Sequence, residues 1–273
     1  MEMNRKDIGG GRREMVYGIA GGFYPADPDH LKRTVDTFCR EVDTPKVQGN
    51  LRALMVPHAG YVYSGPVAAM GYRIIRDLDQ EKNWTIIMIG PSHYVSFRGV
   101  SVGLYDEYAC PLGAVPVSRV ARKLLDSGAV FLPQAHEREH SLEVQLPFLR
   151  HCLRSFEIIP LLTGSVDAKF VADMVKSHID ERTIILVSTD LSHEKPYSEA
   201  RTIDTALLDK IIEGDESGIK RGEACGIKGI HAMVILSNRL NWRRQLIGYA
   251  TSGDTYGSKN RVVGYGCIAC LQD

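Results

Sequence analysis

Three apolar runs of strand length, LRALMV, WTIIMIG and RTIILVS, each end in a short polar cluster that carries a histidine. The first leads into Pro57-His58-Ala59-Gly60-Tyr61, the second into Pro91-Ser92-His93, and the third into Thr189-Asp190-Leu191-Ser192-His193. Runs this short and this continuously apolar suit strands buried on both faces. In a mostly parallel sheet the carboxyl ends of the strands converge on one crevice, and ligands bind there. The pattern therefore predicts an α/β chain with a built site at one end of its sheet, and the histidines point to a metal.

Helical spacing fills the intervals between the runs. Leu31, Val35 and Phe38 share one face of a helix expected over 29–42, and Gly65-Pro66 should open a second helix reaching about 77. Ser118 is placed to cap a helix over 119–127, and a helix from Ser141 to about 154 should break or kink early at Pro147. Further helices are expected over 167–178, 198–212 and 228–239, with strands over 52–56, 84–90, 100–104, 156–162, 183–188, 244–250 and 261–269. Residues 1–16 are polar and glycine-rich, and read as a loose arm.

Charge excludes some partners. With 33 basic and 33 acidic side chains the overall charge points to neither a nucleic-acid footprint nor a polybasic membrane patch, though it leaves room for local basic patches. No apolar stretch reaches the roughly 18 residues of a membrane span, and the N-terminus lacks the apolar core of a signal peptide, so a cytoplasmic setting is expected. Six cysteines are too sparse for a disulfide scaffold. Cys267 and Cys270 have CxxC spacing inside an apolar run, without room for the helix that a redox motif needs, and read as core thiols.

His58 and His93 share a strand–Pro/Gly–His arrangement, and neutral imidazole is a good ligand for iron, zinc and copper. Asp190 and His193 stand at i, i+3, where the carboxylate can ligate a metal or orient a histidine and His193 can move a proton. His140 and Glu143 repeat that spacing inside segment 136–143, which holds two histidines and three glutamates. That segment does not match the zincin pattern. Cys225 precedes a helix and is flanked by glycine, so a lowered thiol pKa and a role as metal thiolate or reactive thiol are expected. No nucleophile elbow, phosphate-binding loop or dinucleotide fingerprint occurs.

Taken together, AGGFYP (20–25), VPHAGYVYSGPVAA (56–69), IGPSHY (89–94), REHSLEVQLPFL (138–149), IIPLLTG (158–164), VSTDLSH (187–193) and CGIKGI (225–230) make the chain resemble the Memo family. The resemblance implies one α/β domain over 1–273, with a central mixed or mostly parallel sheet flanked by helices, similar to the class III extradiol dioxygenases. It also implies a metal pocket of His58, His93 and Cys225. Asp190, His193, His140 and Glu143 are then the candidate catalytic residues, with His193 as the acid/base. Fe(II) is the expected metal, with copper or zinc as alternatives, because a thiolate replaces the dioxygenase carboxylate. Three functions are expected on this basis: a dioxygenase-like iron oxidoreductase acting on a small organic molecule; a binding or scaffold protein with a protein or peptide partner; and a zinc hydrolase.

Overall fold

The structure, a computed structural model, describes residues 5–8, 12–15 and 18–273. Its strands are β1 (Arg5–Ile8), β2 (Arg12–Met15), β3 (Asn50–Val56), β4 (Trp84–Pro91), β5 (Val100–Val102), β6 (Glu107–Tyr108), β7 (Val115–Pro116), β8 (Phe156–Thr163), β9 (Thr183–Ser188), β10 (Arg243–Thr251) and β11 (Gly264–Gln272). The helices are α1 (Pro28–Glu41), α2 (Tyr61–Arg76), α3 (Pro133–His136), α4 (His140–Glu143), α5 (Leu146–Cys152), α6 (Ala168–Lys176), α7 (Tyr197–Glu213), α8 (Glu216–Ile219), α9 (Ile227–Arg239) and α10 (Ser252–Thr255). A 3-10 helix, Arg119–Leu125, is capped by the Ser118 hydroxyl, which accepts from Val120 N–H.

Seven strands pair in the order β10-β11-β3-β9-β4-β8-β5. The four central strands are parallel, and β11, β10 and β5 join antiparallel at the edges. Side chains alternate across a strand. Leu54, Val56, Ile86 and Met88 therefore pack with Tyr72 of α2 and Phe148 of α5 on one face, while Met55, Ile87, Ile89 and Val187 pack with Val171 of α6, Leu208 of α7 and Val234 of α9 on the other. Each such side chain contributes about 1.5–3 kcal/mol on burial. Burial on both faces is why these strands read as unbroken apolar runs. The molecule is one α/β domain with a mixed sheet between two helical layers.

Three local features depart from or refine the expected elements. Helix α2 begins at Tyr61, a turn before Gly65-Pro66, because Tyr61 N–H donates to Phe23 O at 2.7 Å and the loop before α1 so caps it. Pro147 divides its segment into α4 and α5 and occupies an early position of α5, where a proline's missing N–H costs nothing. The loose arm expected over 1–16 is corrected for 5–8 and 12–15, which form an antiparallel strand pair. There β2 pairs with β6, Met15 O accepts from Ala109 N–H at 2.7 Å, and the Met15 side chain is buried. Residues 1–4, 9–11 and 16 lie outside the described residues. Among the described residues no helix is long and apolar enough to cross a membrane.

Candidate metal centre

Strands β3, β9 and β4 lie side by side and run parallel, so the segments leaving their carboxyl ends gather at one end of the sheet. His58 stands two residues beyond β3, Asp190 two beyond β9 and His93 two beyond β4. His140 opens α4, which packs on the end of β4. Gly90 permits this approach, since a Cβ there would lie 2.5 Å from Ser141 Oγ, and Ser141 Oγ donates to Pro91 O at 3.0 Å. One donor nitrogen from each of His58, His93 and His140 falls within 4.8 Å of the other two. The His93 and His140 rings stack at 4.6 Å, and His58 stands edge-on to them at 5.2 and 5.3 Å.

Hydrogen bonds set which nitrogens face the pocket. The Ser188 hydroxyl gives its one proton to Ser141 O and accepts from Gln145 Nε2 at 2.8 Å. His58 Nδ1, 3.1 Å from Ser188 Oγ, must therefore donate, which leaves Nε2 as the acceptor nitrogen. Glu139 does the same for His93: Oε1 lies 2.8 Å from His93 Nδ1, and Oε2 accepts His93 N–H at 2.6 Å. Burial pushes the Glu139 carboxyl up, but the bonds from His93 and from Ser141 N–H outweigh it and hold the group at about 2. Burial, reinforced by the neighbouring imidazoles, lowers His58 to about 3 and His140 to about 4. Both rings are thus neutral at pH 7, as ligands must be.

A second group lies beneath and beside the first. Asp190 Oδ1 accepts His58 N–H at 2.8 Å, and its Oδ2 is 4.0 Å from His193 Nε2. Burial raises the Asp190 pKa. His193 Nδ1 lies 2.9 Å from Leu191 O, a pure acceptor, so Nδ1 carries a proton and Nε2 is the nitrogen that faces Asp190; the side chain is 44% exposed. Cys225 Sγ sits 3.3 Å from His58 Nε2 and accepts Asp190 N–H at 3.2 Å. Gly226 allows this contact, because a Cβ there would come within 2.6 Å of Thr189 Cβ. The lowered thiol expected for Cys225 is corrected. Burial and then the Asp190 carboxylate push it up to about 12, outweighing the start of α9 two residues on.

The candidates from the sequence thus fall into separate places. His58, His93 and His140 form the three-donor group, and Cys225 joins it through His58. Glu143 holds the 18–24 loop: its carboxylate accepts Gly18 N–H at 2.8 Å, Ile19 N–H at 3.2 Å and Tyr24 O–H at 2.7 Å. That loop sets Phe23 against His140, with ring centroids 4.7 Å apart. His136 is buried between Ser101 Oγ and Tyr108 OH. Cys267 and Cys270 lie in different cores on the two faces of β11, since an i, i+3 pair on a strand points to opposite sides. Glu139 is the residue that spacing analysis passed over. Its signal was its position next to His140 in a glutamate-rich segment too polar for a strand.

Three imidazoles that each bring one nitrogen to the same spot suit a borderline divalent ion such as iron, zinc or copper. The Cys225 thiol and the Asp190–His193 pair lie beside this group. A family model described as Memo-like protein matches residues 13–269. The chain is 31% identical over 274 residues to a MEMO1 family protein of Methanopyrus kandleri, covering 92% of this chain and 96% of the relative. It is 32% identical over 265 residues to one of Methanosarcina barkeri, covering 92% and 97%, and 33% identical over 274 residues to one of Saccharolobus solfataricus, covering 90% and 95%.

Proposed function

The chain belongs to the Memo-like protein family, and from that premise we propose that it is a metal-dependent, dioxygenase-like oxidoreductase acting on a small organic substrate. Non-haem iron is the proposed metal, held by His58 and His93 and completed by His140 or Cys225. The observation that supports this reading is the set of three donor nitrogens within 4.8 Å of one another, two from beyond the carboxyl ends of β3 and β4 and one from the start of α4. When bound, iron would supply a centre at which an organic substrate and O2 exchange electrons.

The protein's own groups would do the rest. Ser188 and Glu139 keep His58 and His93 in one tautomer each, so a ligand lone pair needs no rearrangement. His193 Nε2 takes a proton from a substrate hydroxyl, and the Asp190 carboxylate next to it stabilises the imidazolium that results. The Tyr94 hydroxyl, 3.3 Å from His140 Nδ1, and the Phe23 ring flank His140. A cytoplasmic setting suits six free thiols.

The test is metal analysis of protein purified without oxygen, followed by anaerobic Fe(II) titration. One iron per chain, lost in His58→Ala and His93→Ala, and O2 consumption with a phenolic substrate are expected. Failure to bind iron, or equal binding by both variants, overturns the reading. Zinc-dependent ester cleavage that persists without O2 would establish the hydrolase instead. One observation favours a binding role as a second reading: Tyr63, Tyr94 and Tyr256 are exposed, Tyr94 against the histidines and Tyr63 against Tyr256, a surface suited to a protein or peptide partner.

A further inference from the structure

The loop that carries Asp190 and His193 is anchored from the side away from the three histidines. Past β9 its backbone lies along the start of β11. Leu191 N–H donates to Gly264 O at 2.8 Å, and Gly264 N–H donates to Ser192 O at 2.9 Å. Ser192 N–H donates to a side chain, Asp204 Oδ1, 2.9 Å away on α7. The other oxygen of the same carboxylate, Oδ2, accepts the Tyr249 hydroxyl of β10 at 2.8 Å. Leu191, Ser192 and Asp204 are all 0% exposed, so this carboxylate meets the loop in a dry interior.

A buried carboxylate is costly unless hydrogen bonds hold it. Here two donors from different elements do so, and Gly264 makes room: a Cβ there would run into Asp204 Oδ2. Downstream, Lys195 O accepts Val262 N–H at 2.8 Å. His193 and Glu194 thus form a two-residue arch between two anchored points, Ser192 and Lys195. The arch is tight, since Glu194 has φ 61°, a left-handed conformation uncommon outside glycine. Its fixed feet bring His193 Nδ1 to 2.9 Å from Leu191 O and His193 Nε2 to 4.0 Å from Asp190 Oδ2. With 44% of the side chain exposed, packing alone does not hold the ring there.

We propose that Asp204 is a positioning residue for His193, acting through the hydrogen bond it accepts from Ser192 N–H. That bond fixes the upstream foot of the arch, and the arch holds the imidazole with Nδ1 on Leu191 O and Nε2 toward Asp190. A group that moves a proton must be held within about 0.5 Å of its productive place by the residues behind it. Without the carboxylate, Ser192 N–H is buried and unpaired, and the loop must shift until that donor finds water or another acceptor. The ring then leaves Leu191 O, the acceptor that selects its Nδ1 proton. That His193 moves a proton in turnover rests on the proposed oxidoreductase reading; that Asp204 sets its pose does not.

The experiment records imidazole-nitrogen NMR spectra of the metal-free full-length chain at about pH 9, where an ordinary imidazole is neutral. His193→Gln assigns the ring. The native chain should show His193 as a single Nδ1–H tautomer. Asp204→Ala should lose that signature and give a pair of averaged ring nitrogens. Asp204→Asn should keep it, because the amide oxygen can accept Ser192 N–H and the amide N–H can donate to the Tyr249 hydroxyl. If Asp204→Ala does not fold, Tyr249→Phe, which frees only Oδ2, should move the His193 nitrogens the same way by a smaller amount. A native His193 spectrum in folded Asp204→Ala, even with a lowered thermal transition, makes the aspartate a stabilising group only and overturns the proposal. So does a native spectrum in Tyr249→Phe where Asp204→Ala is unfolded, loss of the signature in Asp204→Asn, or its absence from the native chain. These readouts need neither iron nor turnover, so they stand or fall separately from the proposed reaction.

Discussion

Glu139 grips His93 twice, its Oε1 2.8 Å from the ring Nδ1 and its Oε2 2.6 Å from the backbone N–H. One buried carboxylate thus sets both the tautomer and the position of a candidate ligand. Glu139→Gln keeps the shape and removes the charge. It should weaken metal binding by about 10–100-fold while the fold persists. Competition titration with a chromophoric chelator measures this, and an unchanged affinity would mean that His93 needs no orienting partner.

Acid should destabilise the metal-free chain over a defined window. Burial holds His58 at about 3, and His136 and His140 at about 4, below the ordinary 6.5. The unfolded chain takes up these protons near pH 6.5 and the folded chain does not until pH 3–4. Stability is therefore full above pH 6.5 and falls as the pH drops through that range, by up to about 4 kcal/mol per pH unit if all three contribute. Denaturant titrations between pH 7.5 and 4.5 check this. His136→Asn, outside the metal centre, should flatten the slope by one proton, and an unchanged slope would remove His136 from the account.

Gly226→Ala should perturb Cys225 before it perturbs the core. The added methyl meets Thr189 Cβ at 2.6 Å, and Gly226 N–H already donates to Thr189 Oγ1 at 2.9 Å. Overpacking at such a site costs about 1–3 kcal/mol. Faster alkylation of Cys225 together with a lowered denaturation midpoint is the expected pair of results, and a native alkylation rate would contradict it.

Tyr24→Phe removes one of three donors to the buried Glu143 carboxylate. Hydrogen bonds to a charged group contribute about 1.5–3 kcal/mol, and a loss of that size is expected. Because the loop also places Phe23 on His140, protease cleavage within 18–24 should speed up. Native cleavage rates would show that the loop is held by other contacts.

Much of the fold was legible one residue at a time. Strand β9 coincides with its predicted span, and the thiols of CxxC spacing are core residues, because apolar runs and strand parity are local signals. Glu139 and Glu143 were not separable on that basis. Each lies in the same polar segment, and whether a carboxylate meets His93 or the 18–24 loop depends on partners 46 and 119–125 residues away.

By itself the sequence determined an α/β fold, with His58, His93 and Asp190 at strand ends. Burial on both faces demands unbroken apolar runs, and parallel strands deliver their carboxyl ends to one side. Only the tertiary structure decided that His140 stands with His58 and His93, that Cys225 reaches the group through His58, and that its thiol is raised. Those outcomes rest on which strand lies between which, on the close approach of α4 to Gly90, and on the burial of the thiol beside the Asp190 carboxylate. Each is a sum of distant contacts, and no local pattern of residues encodes it.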